Sequence, residues 1–528
     1  MKINTTKKFA INPVIAAITV VCGAASVYIG VTAATGDSPE VAAVPSVTVV
    51  AKSTVWANNP LLATASVTET LVTGEKTMRP VVLAQVAVMP DSVIPTNAAG
   101  TTEHDPFGRI QLTGMTSGAA AIAQLGSNLD SVAKWYGYSS VEFKQQLLFD
   151  TSMQLDSKGR VVYVDNQVVT PEQATAVVTA SVATTGTVSP LPYDQTFVLH
   201  SKPDAARALY INFTGQGTNL PFDLDKSPST FNNAERLIIQ KVWMRVAEVY
   251  SAFDVDVTTE KPDTKTGSTI LVTPQNSTMG GYAFLNTFGA LKPGSANALC
   301  FPNNLANDEK YIADCVAHEF GHTVGLAHQG QLPTSPYYMG QGSGETSWAP
   351  IMGVGYYKNL VQWSKGDYVR ANNTLDAYAI MLKQGLPVRA ANSGSTVATA
   401  GVMTGSVANG YNNLTATGII RSPADANMFK FVAGVGQTSV TVSPYMLGGT
   451  LHASLQLMND KGVVLATSTN ELTRTATVKM LLPTAGTYYL KVAGRGAGDP
   501  LVNGYTNYGS IGQYTVSTVT VPSTLAIK

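Results

Sequence analysis

The chain has 528 residues, and Lys+Arg and Asp+Glu each number 34, so the formal net charge is zero. There is no charge surplus to steer it to nucleic acid or to an anionic membrane surface, and a nucleic-acid partner is not expected. The length allows several domains. Charged residues make up only 13% of the sequence, and Ala, Val, Thr, Ser and Gly fill long stretches, which fits an exported, β-rich protein better than a cytosolic helical enzyme.

The N-terminus agrees with export. Lys2, Lys7 and Lys8 form a basic start, Val14 to Ala34 carries no charge, and the small residues Thr32, Ala33 and Ala34 precede Asp37. Residues 1–34 therefore read as a signal peptide and the protein as secreted. The apolar run is longer than most signal cores, so a membrane anchor over residues 14–34 is the alternative. Cys22 follows Val20-Val21, where a lipoprotein signal would place a small residue. No other segment reads as a membrane span, so no stable membrane partner is expected unless this one is retained.

Residues 35–126 are rich in Val, Ala, Thr, Ser and Pro without a period, and read as low-complexity, weakly ordered chain. His104-Asp105 lies there. A carboxylate ahead of an enzyme unit can cap a metal, but a lone dipeptide is more simply a solvated loop. From 127 to 195 the pattern is a small α+β unit. Leu129, Val132, Ala133, Tyr136, Val141, Phe143, Leu147 and Leu148 follow a helical period, and two strand-like runs, Ser152–Leu155 and Arg160–Val164, flank the turn Asp156-Ser157-Lys158-Gly159. This unit reads as a pro-region or, with equal weight, as a permanent N-terminal module. Thr175 to Ser189 reads as a flexible linker.

A larger unit spans 196–388. Ala208–Phe213 alternates as a strand, and Phe231 to Tyr250 reads as an amphipathic helix capped by Ser229 or Thr230. Strands are expected over Phe253–Thr259, Thr269–Val272, Gly281–Phe288 and Ala296–Phe301, and a second helix begins near Asp308. The order suits a twisted mixed sheet with helices packed on it. One of the last two strands is expected to be an unpaired edge that holds an extended substrate.

That second helix carries His318-Glu319-Phe320-Gly321-His322-Thr323-Val324-Gly325-Leu326-Ala327-His328, and three of the chain's six histidines lie in this run. Positions four apart share a helix face, so His318 and His322 can reach one ion. Gly325 lets the chain leave the helix at positive φ and return His328 as a third ligand. Three imidazoles suit one catalytic Zn²⁺ with a position left for water. Glu319 is placed to hold that water and act as general base.

About twenty-five residues beyond the third histidine comes Trp348-Ala349-Pro350-Ile351-Met352-Gly353. With this Met in a tight turn, residues 196–388 resemble the metzincin superfamily of zinc endopeptidases, and Trp243-Met244-Arg245-Val246-Ala247-Glu248 is similar to exported bacterial members with reprolysin-like domains. The resemblance implies His318, His322 and His328 as metal ligands, Glu319 as catalytic base, and Met352 as the Met-turn that floors the site. Two positions depart from it. Residue 329 is Gln, where several subfamilies have an acid, so the subfamily stays open. Position 354 is Val, where some members carry a transition-state tyrosine; Tyr356 or Tyr357 can take that role or can simply pack.

Cys300 and Cys315 are an even pair in an exported chain and read as a disulfide, with two separate buried thiols as the alternative. His200 and His452 stand alone and read as structural or solvent-facing. Asp223, Asp225, Asp254 and Asp256 offer oxygen to calcium, but such carboxylates are more often solvated, so calcium stays unassigned.

Residues 389–415 read as a Gly-, Ser-, Thr- and Ala-rich linker, and 416–520 as short alternating strands of a β-sandwich. Asp425 with Phe429 and Phe431, Gly486-Thr487-Tyr488-Tyr489-Leu490, and Tyr508-Gly509-Ser510-Ile511-Gly512-Gln513-Tyr514 resemble the bacterial pre-peptidase C-terminal domain. That resemblance implies a non-catalytic module that is often removed, or that aids secretion or substrate contact. The expected class is thus α+β followed by all-β, and the expected activity is zinc-dependent hydrolysis of a protein or peptide substrate. The rival reading is a secreted binding or adhesion protein with a vestigial or structural zinc site. The substrate and its cleaved bonds are not legible.

Overall fold

The computed structural model describes residues 110–523, apart from 170–190 and the positions 264, 276, 290–295, 334, 392 and 469, together with four short strands nearer the N-terminus. Those four form two antiparallel pairs, Ile18–Cys22 with Ala25–Ile29 and Ala65–Thr70 with Lys76–Val81, inside a unit of their own over Met1–Ala87. Most of the signal region, His104-Asp105 and the 175–189 linker lie outside the described residues. Among the described residues no helix is long and apolar enough to cross a membrane.

Regular structure is present inside the stretch read as low-complexity. A short strand, Thr116–Ser117, leads into the helix Gly118–Leu125, which buries Ala121 and Leu125. Alanine is the best helix former, and an Ala-rich amphipathic turn looks compositionally like a disordered tract. The helices Leu129–Trp135 and Ser140–Phe149 follow, the second closed by a capping box between Ser139 and Glu142. Leu125, Val132, Phe143, Leu147 and Tyr163 pack in one core that also takes in Leu285 and Ala327 from the larger unit.

The 127–195 and 196–388 stretches therefore do not fold apart, contrary to the division drawn from sequence. One eight-stranded sheet runs through both. Its order is Thr116–Ser117, Met153–Leu155, Val161–Asp165, Gly281–Phe284, Ala298–Cys300, Thr266–Val272, Arg207–Asn212, Asp256–Thr258. The last four pair in parallel, while Gly281–Phe284 is antiparallel to Ala298–Cys300 on one side and to Val161–Asp165 on the other. Neither strand expected as a free edge is one. The reason lies in Val161-Val-Tyr-Val-Asp165, which is buried at every position and so needs cover on both faces and partners on both sides.

Two helices pack on this sheet. Asn233–Val249 is capped by Asn232, with Glu235 returning the contact, rather than by Ser229 or Thr230. Glu309–Thr323 is capped by Asp308 and carries the histidine motif. Cys300, at the end of its strand, is disulfide-bonded to Cys315 in this helix.

The C-terminal part is a sandwich of two five-stranded sheets, one around Ala426–Ala433 and Gly486–Gly494, the other around Tyr411–Ile420, Gly512–Thr520 and Gly436–Pro444. It starts within the supposed linker, at Gly401–Val402 and Thr404–Ala408. Every residue of Thr404–Ala408 is exposed, so this edge strand lacks the apolar alternation that would announce it.

The sandwich is docked rather than tethered. Gln513 donates twice to buried Glu248, from its backbone N and from Nε2, both at 2.9 Å. Tyr508 donates to Asp376 at 2.8 Å and its ring stacks on Tyr378. Gly509 lies where a Cβ would strike the carbonyl of Trp363. The Tyr508–Gln513 stretch that carries the family resemblance is thus the joint itself.

Candidate metal centre

The helix Glu309–Thr323 presents His318 and His322 one turn apart, both buried against the sheet. At Gly325 the backbone turns with φ of 91°, and an added Cβ would meet Asn286 Oδ1 at 2.6 Å, so glycine is required there. The chain then returns His328 to the same point. His318 Nε2 lies 3.1 Å from His322 Nε2, which lies 3.2 Å from His328 Nε2.

The other nitrogens explain why these three point inward. His318 Nδ1 donates to the Ile351 carbonyl at 2.8 Å, and His322 Nδ1 to the Leu326 carbonyl at 2.7 Å. His328 Nδ1 donates to Asp150 Oδ2 at 2.7 Å. Each Nδ1 carries its proton to an acceptor, which leaves the Nε2 lone pair aimed at the shared centre. Three lone pairs facing one another repel unless a cation lies between them. Nitrogens bound tetrahedrally at about 2.0–2.1 Å would stand roughly 3.3 Å apart, close to the spacing here. The donor set therefore fits a metal ion.

A fourth group completes it. Asp165, at the end of Val161–Asp165, places Oδ2 3.2 Å from His318 Nε2 and 3.7 Å from His322 Nε2, and Oδ1 3.0 Å from His328 Nε2. Asp165 Oδ2 is buried with no hydrogen-bond partner, as expected of an oxygen aimed at a cation. The buried cluster Asp165, His318, His322 and His328 could hold a metal. Tyr337 donates to Asp165 Oδ1 at 2.5 Å, and its ring packs on His328. Tyr163 stacks on His322 with ring centroids 4.2 Å apart.

Electrostatics follow from burial and from these carboxylates. Burial pushes His322 down to about 3, helped by its two histidine neighbours, so its lone pair is available at neutral pH. Burial would also lower His328, but Asp150 and Asp165 outweigh it and raise the ring to about 9, so at neutral pH a bound cation would take the place of its Nε2 proton. Glu319 is pushed well above the usual carboxylate range by burial first and by the Asp165 charge next. Its Oε2 is buried without a hydrogen-bond partner.

The other residues singled out in sequence divide clearly. Met352 sits beneath the helix, its Sδ filling the space a side chain on Gly321 would need. Tyr356 lines a small cleft together with Asp165, His318 and Glu319, whereas Tyr357 is not among the lining residues. Gln329 serves packing: its Nε2 donates to the Ser364 carbonyl at 2.7 Å. His200 is held between Asp256 and Glu260, and His452 accepts from Tyr505, burial lowering it to about 4. Asp254 and Asp256 are taken by Lys202 and Lys265, which removes them as calcium ligands. Asp223 and Asp225 lie close to Glu235, but Glu235 already accepts from Leu224 N and Asn232 N, and this acidic group receives no assignment.

Asp150, Tyr163, Asp165 and Tyr337 had not been named from sequence. Asp165 had one local signal, a carboxylate closing an otherwise apolar strand.

No family model and no curated protein matches the chain. Among solved structures, the pre-peptidase C-terminal domain of a collagenase from Bacillus anthracis is similar at 15% identity over 20% of this chain and 88% of that one, with a TM-score of 0.16. PliG of Aeromonas hydrophila, a periplasmic inhibitor of g-type lysozyme, is similar at 13% identity over 23% of this chain and 100% of that one, also with a TM-score of 0.16.

Proposed function

We propose that the chain is an exported zinc-dependent endopeptidase of metzincin type, with a C-terminal sandwich of the pre-peptidase kind. The observation that carries this reading is the convergence of three Nε2 atoms, each oriented by a hydrogen bond at its own Nδ1, beside a buried glutamate one residue from the first of them. A structural site has no use for that glutamate. Bound at His318, His322 and His328, zinc would polarise the scissile carbonyl and lower the pKa of a water toward about 7. Glu319 is placed to take a proton from that water and to pass it to the leaving amine. The Tyr337 hydroxyl, 2.5 Å from Asp165 Oδ1, and Tyr356 in the cleft are candidate donors to the oxyanion.

One observation favours a second reading. Asp165 gives the cluster four protein ligands, and a closed set of four is the structural pattern. In that case the protein binds a partner and the metal only supports the fold.

The test is hydrolysis of denatured casein, before and after limited trypsin treatment, by the chain and by Glu319→Gln treated alike. The variant is expected to keep its zinc and melting temperature while losing a factor of about 10²–10⁴ in rate. Equal rates would sink the mechanism. Absence of cleavage by either protein in every preparation would favour the binding reading. Loss of zinc in the variant would make Glu319 part of the metal site.

A further inference from the structure

Val161–Asp165 is a buried extended strand whose last residue, Asp165, enters the histidine cluster. It pairs antiparallel with Gly281–Phe284, with Val162 opposite Phe284, Tyr163 opposite Ala283, Val164 opposite Tyr282 and Asp165 opposite Gly281. The pairing continues past the strand, where Gly280 N donates to the Asp165 carbonyl at 2.7 Å. A Cβ on Gly280 would collide with the Gln167 carbonyl, so the backbones are in close contact there too. Main-chain pairing along one strand is a general way for a sheet to hold an extended peptide.

We propose that residues 110–169 are a built-in inhibitory segment. Its strand Val161–Asp165 fills the substrate groove, and the Asp165 carboxylate takes the metal position that a water must occupy. The proposal rests on the endopeptidase reading of the same site.

Three histidines leave one position open, and both oxygens of Asp165 face it. With that position filled, Glu319 has no water to deprotonate, and its Oε2 is left buried without a partner. Tyr337, a candidate donor for the oxyanion, is spent on the same carboxylate. One segment thus disables the water site, the base and the oxyanion donor together.

The block is not a loosely hung loop. The segment's helices share a core with Leu285 and Ala327, so the strand cannot lift without exposing buried Phe143, Leu147 and Tyr163. Release therefore requires the segment to be cut or unfolded, rather than a local opening. The same segment also supplies Asp150, which tightens His328 while the site is blocked.

The test uses the full chain with Co²⁺ in place of zinc, and acetohydroxamate as a probe that binds the metal only where a position is open. The visible bands of the wild-type chain should not respond to the probe, while those of Asp165→Ala should shift. Asp165→Asn keeps the shape of the side chain with a poorer ligand, and should also shift; it carries the test if Asp165→Ala does not hold cobalt. A wild-type spectrum that responds like the variants, or variants as unresponsive as wild type, would overturn the proposal. Hydrolysis of denatured casein only after the 110–169 segment has been cut by limited proteolysis, and not by the intact wild-type chain, is the matching gain of function. If the probe reaches the metal in the variants yet the cut chain cleaves no casein, the block stands and the endopeptidase reading falls.

Discussion

Asp150 accepts the Nδ1 proton of His328 at 2.7 Å, across 178 residues of sequence. The contact fixes the ring's tautomer and aims Nε2 at the shared centre, and Ser152 Oγ holds the other Asp150 oxygen at 2.5 Å. Removing such a carboxylate from a metal-bound histidine typically costs 10–100-fold in affinity. Asp150→Asn keeps the size of the side chain and loses the charge, so the full chain should bind zinc about 10–100-fold more weakly with its fold intact. Competition with a chelator of known affinity measures this. Unchanged affinity would mean that the Asp150 charge does not strengthen His328 as a ligand.

The Cys300–Cys315 bridge ties the end of a sheet strand to the helix that carries His318 and His322, over a separation of 15 residues. In the chain-entropy model a loop of that size is worth about 3 kcal/mol. A Cys300→Ala, Cys315→Ala double variant should be less stable by about that amount, read from denaturant unfolding. Its zinc content should change little, because neither cysteine belongs to the cluster of Asp165 and the three histidines. Equal stability, or free thiol at both positions in air-purified wild type, would refute the role.

Much of the candidate metal centre is legible in one stretch of sequence because a helix and one turn bring all three histidines together. The ligand spacing is local, and Gly325 announces the turn by its residue type. Asp150, Asp165 and Tyr163 could not be read this way. Their place depends on a strand from one end of the chain pairing with a strand more than a hundred residues away, and no periodicity records which strands become neighbours. Tyr337 lies in a Gly-, Pro- and Tyr-rich run whose composition suggests a structured loop but gives no register. The early helix Gly118–Leu125 and the edge strand Thr404–Ala408 were hidden for another reason, since small and polar residues can form regular structure without an apolar pattern. The alternating strands of the sandwich, by contrast, carried their own signal.

Glu248 is fully buried where the sandwich meets the long helix Asn233–Val249, and burial raises its pKa from 4.5 to about 8 despite two hydrogen bonds from Gln513. In the unfolded chain it ionises near 4.5, while in the folded chain it holds its proton until about 8. The folded state thus binds more protons in that window. This contribution to stability is fully present below pH 4.5 and is lost as pH rises through about 8. Glu248→Gln has no proton to lose, and the Gln513 amide can flip to meet it. Between pH 6 and 9 the wild type should lose stability on the order of a few kcal/mol more than this variant, measured by urea unfolding at each pH. Parallel profiles would show that Glu248 is ionised in the fold.

Gln362 joins the metal centre to the sandwich. Its Oε1 accepts from Trp348 Nε1 at 2.9 Å, and its Nε2 donates to the Thr450 carbonyl at 2.5 Å and to Ser510 Oγ at 3.1 Å. Its own carbonyl accepts from Ile351 N at 2.8 Å, and the Ile351 carbonyl is the acceptor that orients His318. A path of hydrogen bonds therefore runs from His318 through the Met352 turn to the C-terminal module. Gln362→Leu is close in volume and cannot make the side-chain contacts, leaving the buried Trp348 N–H and Thr450 carbonyl without partners. Each such orphan costs about 1–3 kcal/mol, so the variant should be destabilised by about 2–5 kcal/mol. If the sandwich is an integral support, wild type should unfold in one calorimetric transition, and the variant should both melt lower and bind zinc more weakly. A removable appendage would behave differently: the sandwich would melt separately in wild type, and Gln362→Leu would lower that transition alone while zinc affinity stayed the same.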